Sequence, residues 1–430
     1  MKKILAMILA LMLVLSMAAC TVEQNNSEDV QLTLWTYPIG GWGDQKTVEA
    51  LIEGFEAANP GIKITVEYLD YTNGDTKVNA AIEGNVAPDI IMEGPERLVA
   101  NWGAKGLMVD LADMLDATDK AEINAAALNA CYTADGKCYE YPLVMTAHCM
   151  AINKTVFEAA GAMEHIDAEN HKWKSVDDFF AAVAKVYAHT GKQVGSVYCQ
   201  GQGGDQGTRA LVTNLKGGTF TNAAHTEYTW NSAENIAALE ALLACEGIKF
   251  DASLVGGTEI TEFYNGNLNM AFCWNIAQQL NPNSANTGAE KTANGEDILF
   301  MAFPSDSTPL LQGGIWGFGI FNNGDDAKIA AAKKFIKYMC DSEKTADAVK
   351  AANYFAVRSK AEGADLSGIW ADNAVMKEYN KLMPMLGDYY QVTTNWAAAR
   401  AAWWEMLQDV GEGQDIATVV AQWANTANGK

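Results

Sequence analysis

The chain has 430 residues and a formal net charge of −23, from 53 acidic and 30 basic side chains. So acidic a balance opposes binding to nucleic acid and gives no electrostatic help toward anionic lipid. Apolar residues make up 49% of the sequence, enough to bury sizeable cores. Beyond the N-terminal segment, no apolar run reaches the roughly eighteen residues that a membrane span requires.

The N-terminus reads as an export signal. Lys2 and Lys3 precede an apolar stretch over residues 4–15, followed by Ser16-Met17-Ala18-Ala19-Cys20. The segment resembles a bacterial lipoprotein signal, in which Cys20 is lipidated and becomes the new N-terminus, with Met17 standing where that pattern usually has Leu. The alternative is an ordinary signal peptide with Cys20 incidental. Residues 1–19 are then the signal, and residues 20–29 a lipid anchor with a polar, flexible tether. The mature chain is expected outside the cytoplasm, anchored by lipid on the outer face of the cell membrane.

From residue 30 strands and helices alternate. A β-rich run over 30–36 leads to a helical pattern over 48–58, with apolar Val48, Leu51, Ile52 and Phe55 on one face. Asn59-Pro60-Gly61 stops that helix, and residues 62–68 alternate as a strand. A helix over 77–83 and a short buried strand over 88–92 complete a βαβαβ opening, as expected of a parallel sheet covered by helices. Further helices are predicted over 176–187, 233–243, 327–340, 343–352, 397–407 and 416–425. Loops rich in Gly and Asn lie at 201–207, 281–295 and 322–326. No internal repeat, coiled coil or long linker separates two lobes, so the chain should cross between them several times.

Eight cysteines are present. With Cys20 lipidated, the other seven form no regular disulfide framework. Cys131 and Cys138 flank an Asp135-Gly136 turn and are the candidates for one bridge, or both are unpaired. The only arginines are Arg97, Arg209, Arg358 and Arg400. That scarcity points toward a neutral ligand, since phosphate and carboxylate are best clamped by bidentate Arg. The histidines lack ligand spacing and no CxxC occurs, so neither a metal site nor a cofactor is expected.

Several short segments, in order, carry a family resemblance. They include Phe55-Glu56-Ala57-Ala58-Asn59-Pro60-Gly61-Ile62, Ala87-Pro88-Asp89-Ile90-Ile91, Gly106-Leu107-Met108-Val109-Asp110-Leu111, Asp135-Gly136-Lys137-Cys138-Tyr139-Glu140-Tyr141-Pro142 and Gly313-Gly314-Ile315-Trp316-Gly317-Phe318-Gly319-Ile320. The chain resembles the family 1 extracellular solute-binding proteins of bacterial ABC importers, the group containing maltose-binding protein. The resemblance implies an α/β periplasmic-binding-protein-like fold, with two discontinuous lobes joined by a multi-strand hinge. The first lobe would comprise residues 30–143 and 315–385, and the second residues 144–314 and 386–430. It implies capture of a carbohydrate, probed first as an oligosaccharide, by hinge closure and its delivery to ABC permease subunits by a monomer.

A sugar site needs planar apolar surface with a few placed polar groups. Tyr37, Trp42 and Asp44 follow the first strand, where parallel sheets open their clefts, although Asp44 also suits a helix N-cap. Glu93, Glu96 and Arg97 follow the third strand; the Glu96-Arg97 pair aligns with an acidic-Arg pair of the maltose-binding member, while Glu93 replaces an aromatic. Gln202 and Asp205 lie in a Gly-rich loop. Trp274 and Asn275 occupy the family's position for an aromatic facing the cleft. Trp316 sits in the glycine-rich return strand, Arg358 is a rim candidate, and Asn395-Trp396 resembles the family's stacking Trp near the last crossing. No Gly-x-Ser-x-Gly elbow, HExxH or phosphate loop appears, so catalytic residues are not expected. A secreted carbohydrate-active enzyme and a lipoprotein that senses a ligand for a membrane receptor are the competing classes.

Overall fold

The computed structural model describes residues 29–71, 73–275 and 291–430. Cys20, the signal and most of the tether lie outside them, as does much of the predicted 281–295 loop. The strands β1 (Val30–Thr36), β2 (Ile62–Tyr68) and β3 (Ile90–Glu93) form as expected, with helices α1 (Gln45–Ala58) and α2 (Gly74–Glu83) between them. α1 buries Val48, Ile52 and Phe55 from one face, the spacing of a single helical stripe. Phe55 meets Phe335 and Tyr338 edge-on, with ring centroids 5.3 and 5.4 Å apart. The chain then turns at Gly61, whose φ of 95° suits glycine.

Four further strands build the two sheets' crossing region: β4 (Tyr141–Ala147), β5 (Cys149–Asn153), then, beyond a parallel pair β6 (Gly195–Gln200) and β7 (Ile248–Val255), β8 (Met270–Trp274) and β9 (Ile298–Met301). β10 (Gly313–Ile320) and β11 (Phe355–Ala356) follow. The larger sheet has the order β11-β4-β10-β3-β1-β2. β1 runs parallel to β2 and β3, while β10 is antiparallel to both β3 and β4. The second lobe holds a three-stranded sheet, β8-β5-β9, beside the β6-β7 pair.

The glycines of β10 permit its close seat. A Cβ at Gly313 would stand 1.8 Å from the Thr146 carbonyl oxygen, and one at Gly317 would stand 2.1 Å from that of Tyr141. No side chain fits those spaces.

The chain passes between the lobes three times. β4 runs into β5 through His148, whose backbone N–H donates to the Gln312 carbonyl at 2.8 Å. Leu311, on the return from β9 to β10, bridges Leu386 in the third crossing. That third segment ends at α3 (Trp396–Gly411), which packs with α4 (Ile416–Ala427) on the second lobe. Among the described residues, no helix is long and apolar enough to cross a membrane. The seven described cysteines are all free and six are buried, so Cys131 and Cys138 form no bridge. Their thiols face the carbonyls of Ala127 and Glu140 instead.

Candidate functional site

β1, β2 and β3 are parallel, so their C-terminal ends share one sheet edge, the edge at which open α/β sheets hold ligands. β1 delivers Tyr37 there, β2 delivers Tyr71, and β3 delivers Glu93 and the short helix Pro95–Arg97. The sequence there has brought four predicted residues together. Arg97 is the organiser. Its Nη1 lies 2.7 Å from Glu93 Oε1 and 3.7 Å from Glu96, and its Nε lies 2.7 Å from Asp75 Oδ1. The guanidinium also sits over the rings of Tyr37 (5.1 Å) and Tyr71 (5.7 Å). Tyr37 is fully buried and its hydroxyl donates to Asp75 Oδ1 at 2.5 Å.

The charges in this wall are tuned by burial. Glu93 is 1% exposed, and burial, with the Glu96 charge beside it, pushes its carboxyl up to about 8 against the pull of Arg97. Burial would also raise Asp75, but hydrogen bonds from Arg97 and Tyr37 hold it below the usual carboxylate range. Glu140 is wholly buried nearby, with neither carboxylate oxygen hydrogen-bonded to a described residue. Burial first, then Glu96 and Glu93, raises its pKa well above the ordinary value.

The second lobe presents a matching cluster at the C-terminal end of β6. Asp205 is 1% exposed and lies 2.5 Å from Arg209 Nη1 and 2.9 Å from Arg400 Nε. Burial alone would raise its carboxyl; the two guanidinium charges bring it below normal. Arg209 donates from Nε to the Tyr390 hydroxyl at 2.9 Å. Trp396 covers the same guanidinium at 4.9 Å and remains partly open. Asn395 stands exposed beside it with φ of 63°. Gln202 keeps its side chain on the exposed loop and gives its carbonyl to Arg400 at 2.7 Å.

Two more predicted aromatics lie near the crossings. Trp316 is half-buried and stacks on Tyr354, with centroids 5.1 Å apart and planes at 11°. Trp274, expected to face the cleft, is instead fully buried against Phe263 at the end of an all-buried strand, and Asn275 Nδ2 lies 3.2 Å from His148 Nε2. Burial lowers His148 to about 4, so its ring is neutral.

Three further expectations of position are corrected. Trp42 is fully buried, its ring edge-on to Phe318 and its N–H donated to the Ala348 carbonyl at 3.1 Å. The turn Gly40–Gly43 folds it inward rather than toward the sheet edge. Asp44 is the N-cap of α1, accepting from the Thr47 backbone N–H at 2.9 Å and hydroxyl at 2.7 Å. Arg358 is no rim residue; it is buried between Asp341 (2.6 Å) and Asp119 (2.8 Å). Sequence reasoning missed Tyr71, Asp75, Arg209, Tyr389 and Tyr390. Arg209 stands four residues after Asp205, a spacing that pairs side chains on a helix and was visible in the sequence.

Two α/β lobes with repeated crossings, and polar-aromatic walls at their sheet edges, define a periplasmic-binding-protein-like fold. Residues 50–378 match the family model of bacterial extracellular solute-binding proteins, and the chain belongs to that family. No curated protein matches the sequence. Among solved structures, the chain is similar to a cyclic alpha-maltosyl-1,6-maltose binding protein from Arthrobacter globiformis, with TM-score 0.74 and 19% identity over 93% of this chain and 98% of that one. It is also similar to an ABC substrate-binding protein from Listeria monocytogenes in complex with cycloalternan, with TM-score 0.66 and 17% identity over 94% and 99% of the two chains. A family 1 extracellular solute-binding protein from Bifidobacterium longum subsp. infantis gives TM-score 0.67 and 20% identity over 93% and 98%.

Proposed function

We propose that this protein captures an uncharged carbohydrate, an oligosaccharide, between its lobes and delivers it to the permease subunits of an ABC importer. The observation that carries the reading is the pairing of every arginine. Arg97, Arg209, Arg358 and Arg400 each face carboxylates within 3 Å, so each guanidinium is already matched. A ligand with phosphate or carboxylate would have to displace a carboxylate, whereas a neutral polyhydroxyl ligand would not. Aromatic rings stand beside these ion pairs, the combination of apolar plane and fixed polar groups that a sugar requires. The sugars named for the Arthrobacter and Listeria structures support the same class.

In this reading the first lobe comprises residues 30–143 and 315–385 and the second 144–314 and 386–430. Cys20 carries the lipid that holds a monomer at the outer membrane face. The test is intrinsic Trp fluorescence of residues 21–430 against a panel of neutral mono- and oligosaccharides, with the sugar recovered and analysed afterwards. Saturable change with intact sugar supports a binding protein. Silence across the panel overturns the carbohydrate reading, and cleaved product moves the chain to the enzymes.

A further inference from the structure

Five large apolar side chains are strongly exposed among the described residues, and Tyr71 is the only aromatic of them, at 51%. It is not an idle surface ring. Its position, three residues beyond β2, puts it on the sheet edge that also carries Tyr37 and Arg97. Tyr37 backs it in a stack with centroids 5.3 Å apart and planes at 26°. Tyr37 is in turn fully buried and tied to Asp75, and Arg97 lies over both rings. An exposed ring held from behind has little freedom to lose on binding, which is the property of an aromatic anchor.

Asp75 stands beside this ring stack with its side chain 55% exposed. A carboxylate has about four acceptor positions. Three are taken, by the Tyr37 hydroxyl and by Arg97 Nε and Nη2. One is left for a donor from solvent, and the exposed side chain gives that donor access. Arg97 offers the ligand no unmatched positive charge, because Asp75, Glu93 and Glu96 surround it.

We infer that Tyr71 and Asp75 form a sugar-ring subsite on the first lobe, with the C–H face of an uncharged pyranose on Tyr71 and one of its hydroxyls donated to Asp75. The inference rests on the carbohydrate reading above. Trp42, the sequence candidate for this wall, has its ring in the core, and Tyr71 fills the role.

The test is calorimetric titration of wild type, Tyr71→Ala and Tyr71→Phe with a panel of neutral saccharides that includes maltotriose and cycloalternan. Tyr71→Ala is expected to weaken the sugar that wild type binds by about 10- to 100-fold. Tyr71→Phe keeps the ring face and is expected to stay within about threefold of wild type. Thermal melting should show all three proteins folded, with Tyr71→Ala lowered only by the loss of its stack on Tyr37. A folded Tyr71→Ala protein that keeps wild-type affinity overturns the subsite and leaves the carbohydrate reading intact. Wild-type silence across the panel overturns both.

Discussion

Tyr389 donates a 2.7 Å hydrogen bond to Glu96 Oε2, linking the third crossing to the helix that carries Arg97. Its neighbour Tyr390 accepts from Arg209 on the second lobe at 2.9 Å. Two consecutive side chains thus tie the crossing to both polar walls. Adjacent residues of an irregular segment point in different directions, so a single turn serves both lobes.

Tyr389→Phe removes one charge-assisted hydrogen bond and leaves the ring packing in place. Burial and the Glu96 charge raise the Tyr389 pKa, so the phenol stays a donor at all ordinary pH values. The substitution is expected to cost about 1.5–3 kcal/mol of stability, read from urea unfolding midpoints. An unchanged midpoint would show that the bond contributes nothing net.

Trp396 has two tasks that one substitution separates from the core. It covers Arg209 at 4.9 Å and leaves part of its ring open. Trp396→Ala is expected to weaken sugar binding by about 1–3 kcal/mol in titration of the folded protein. Wild-type affinity in a folded variant would remove Trp396 from the ligand wall.

Trp42→Ala should behave in the opposite way. The ring is fully buried and its N–H serves the Ala348 carbonyl. The expected loss is about 3–5 kcal/mol of stability from the cavity, with sugar affinity of the folded fraction within about twofold of wild type. A large affinity loss at preserved stability would contradict this core assignment.

The Glu93 carboxyl predicts a pH effect of definite sign. Its folded pKa is raised to about 8 from an ordinary 4.5, chiefly by burial and by the Glu96 charge. Between those values the unfolded chain releases a proton that the folded protein keeps. This group's contribution is therefore full below pH 4.5 and is lost as pH rises toward 8. Glu93→Gln has no such proton, so the stability difference between variant and wild type should move in the variant's favour across that window. Unfolding midpoints at several pH values check it, and a constant difference would defeat the prediction.

Much of the first lobe was legible because its signals are local. The 30–36 and 62–68 runs became strands with those bounds, and the 48–58 stripe became α1. α1 begins three residues earlier than its apolar stripe because Asp44 caps it. The cluster of Glu93, Glu96 and Arg97 was legible for the same reason, since the three residues flank one short strand-to-helix turn and lie within five positions of one another.

What the sequence by itself determined, then, was the alternation of strands and helices, the family resemblance and the residues that short spacing brings together. Only the tertiary structure decided which aromatics face the edge of the sheet. Trp42 looked like a cleft residue until the helix Thr345–Ala352, about three hundred residues further along, supplied the carbonyl that takes its N–H. Arg358 looked like a rim residue until Asp119 and Asp341 closed on it. Tyr71 gained its backing ring only when β1 and β2 lay side by side. A side chain's direction follows from local backbone geometry, but its surroundings are set by segments distant in sequence, and local pattern carries no record of them.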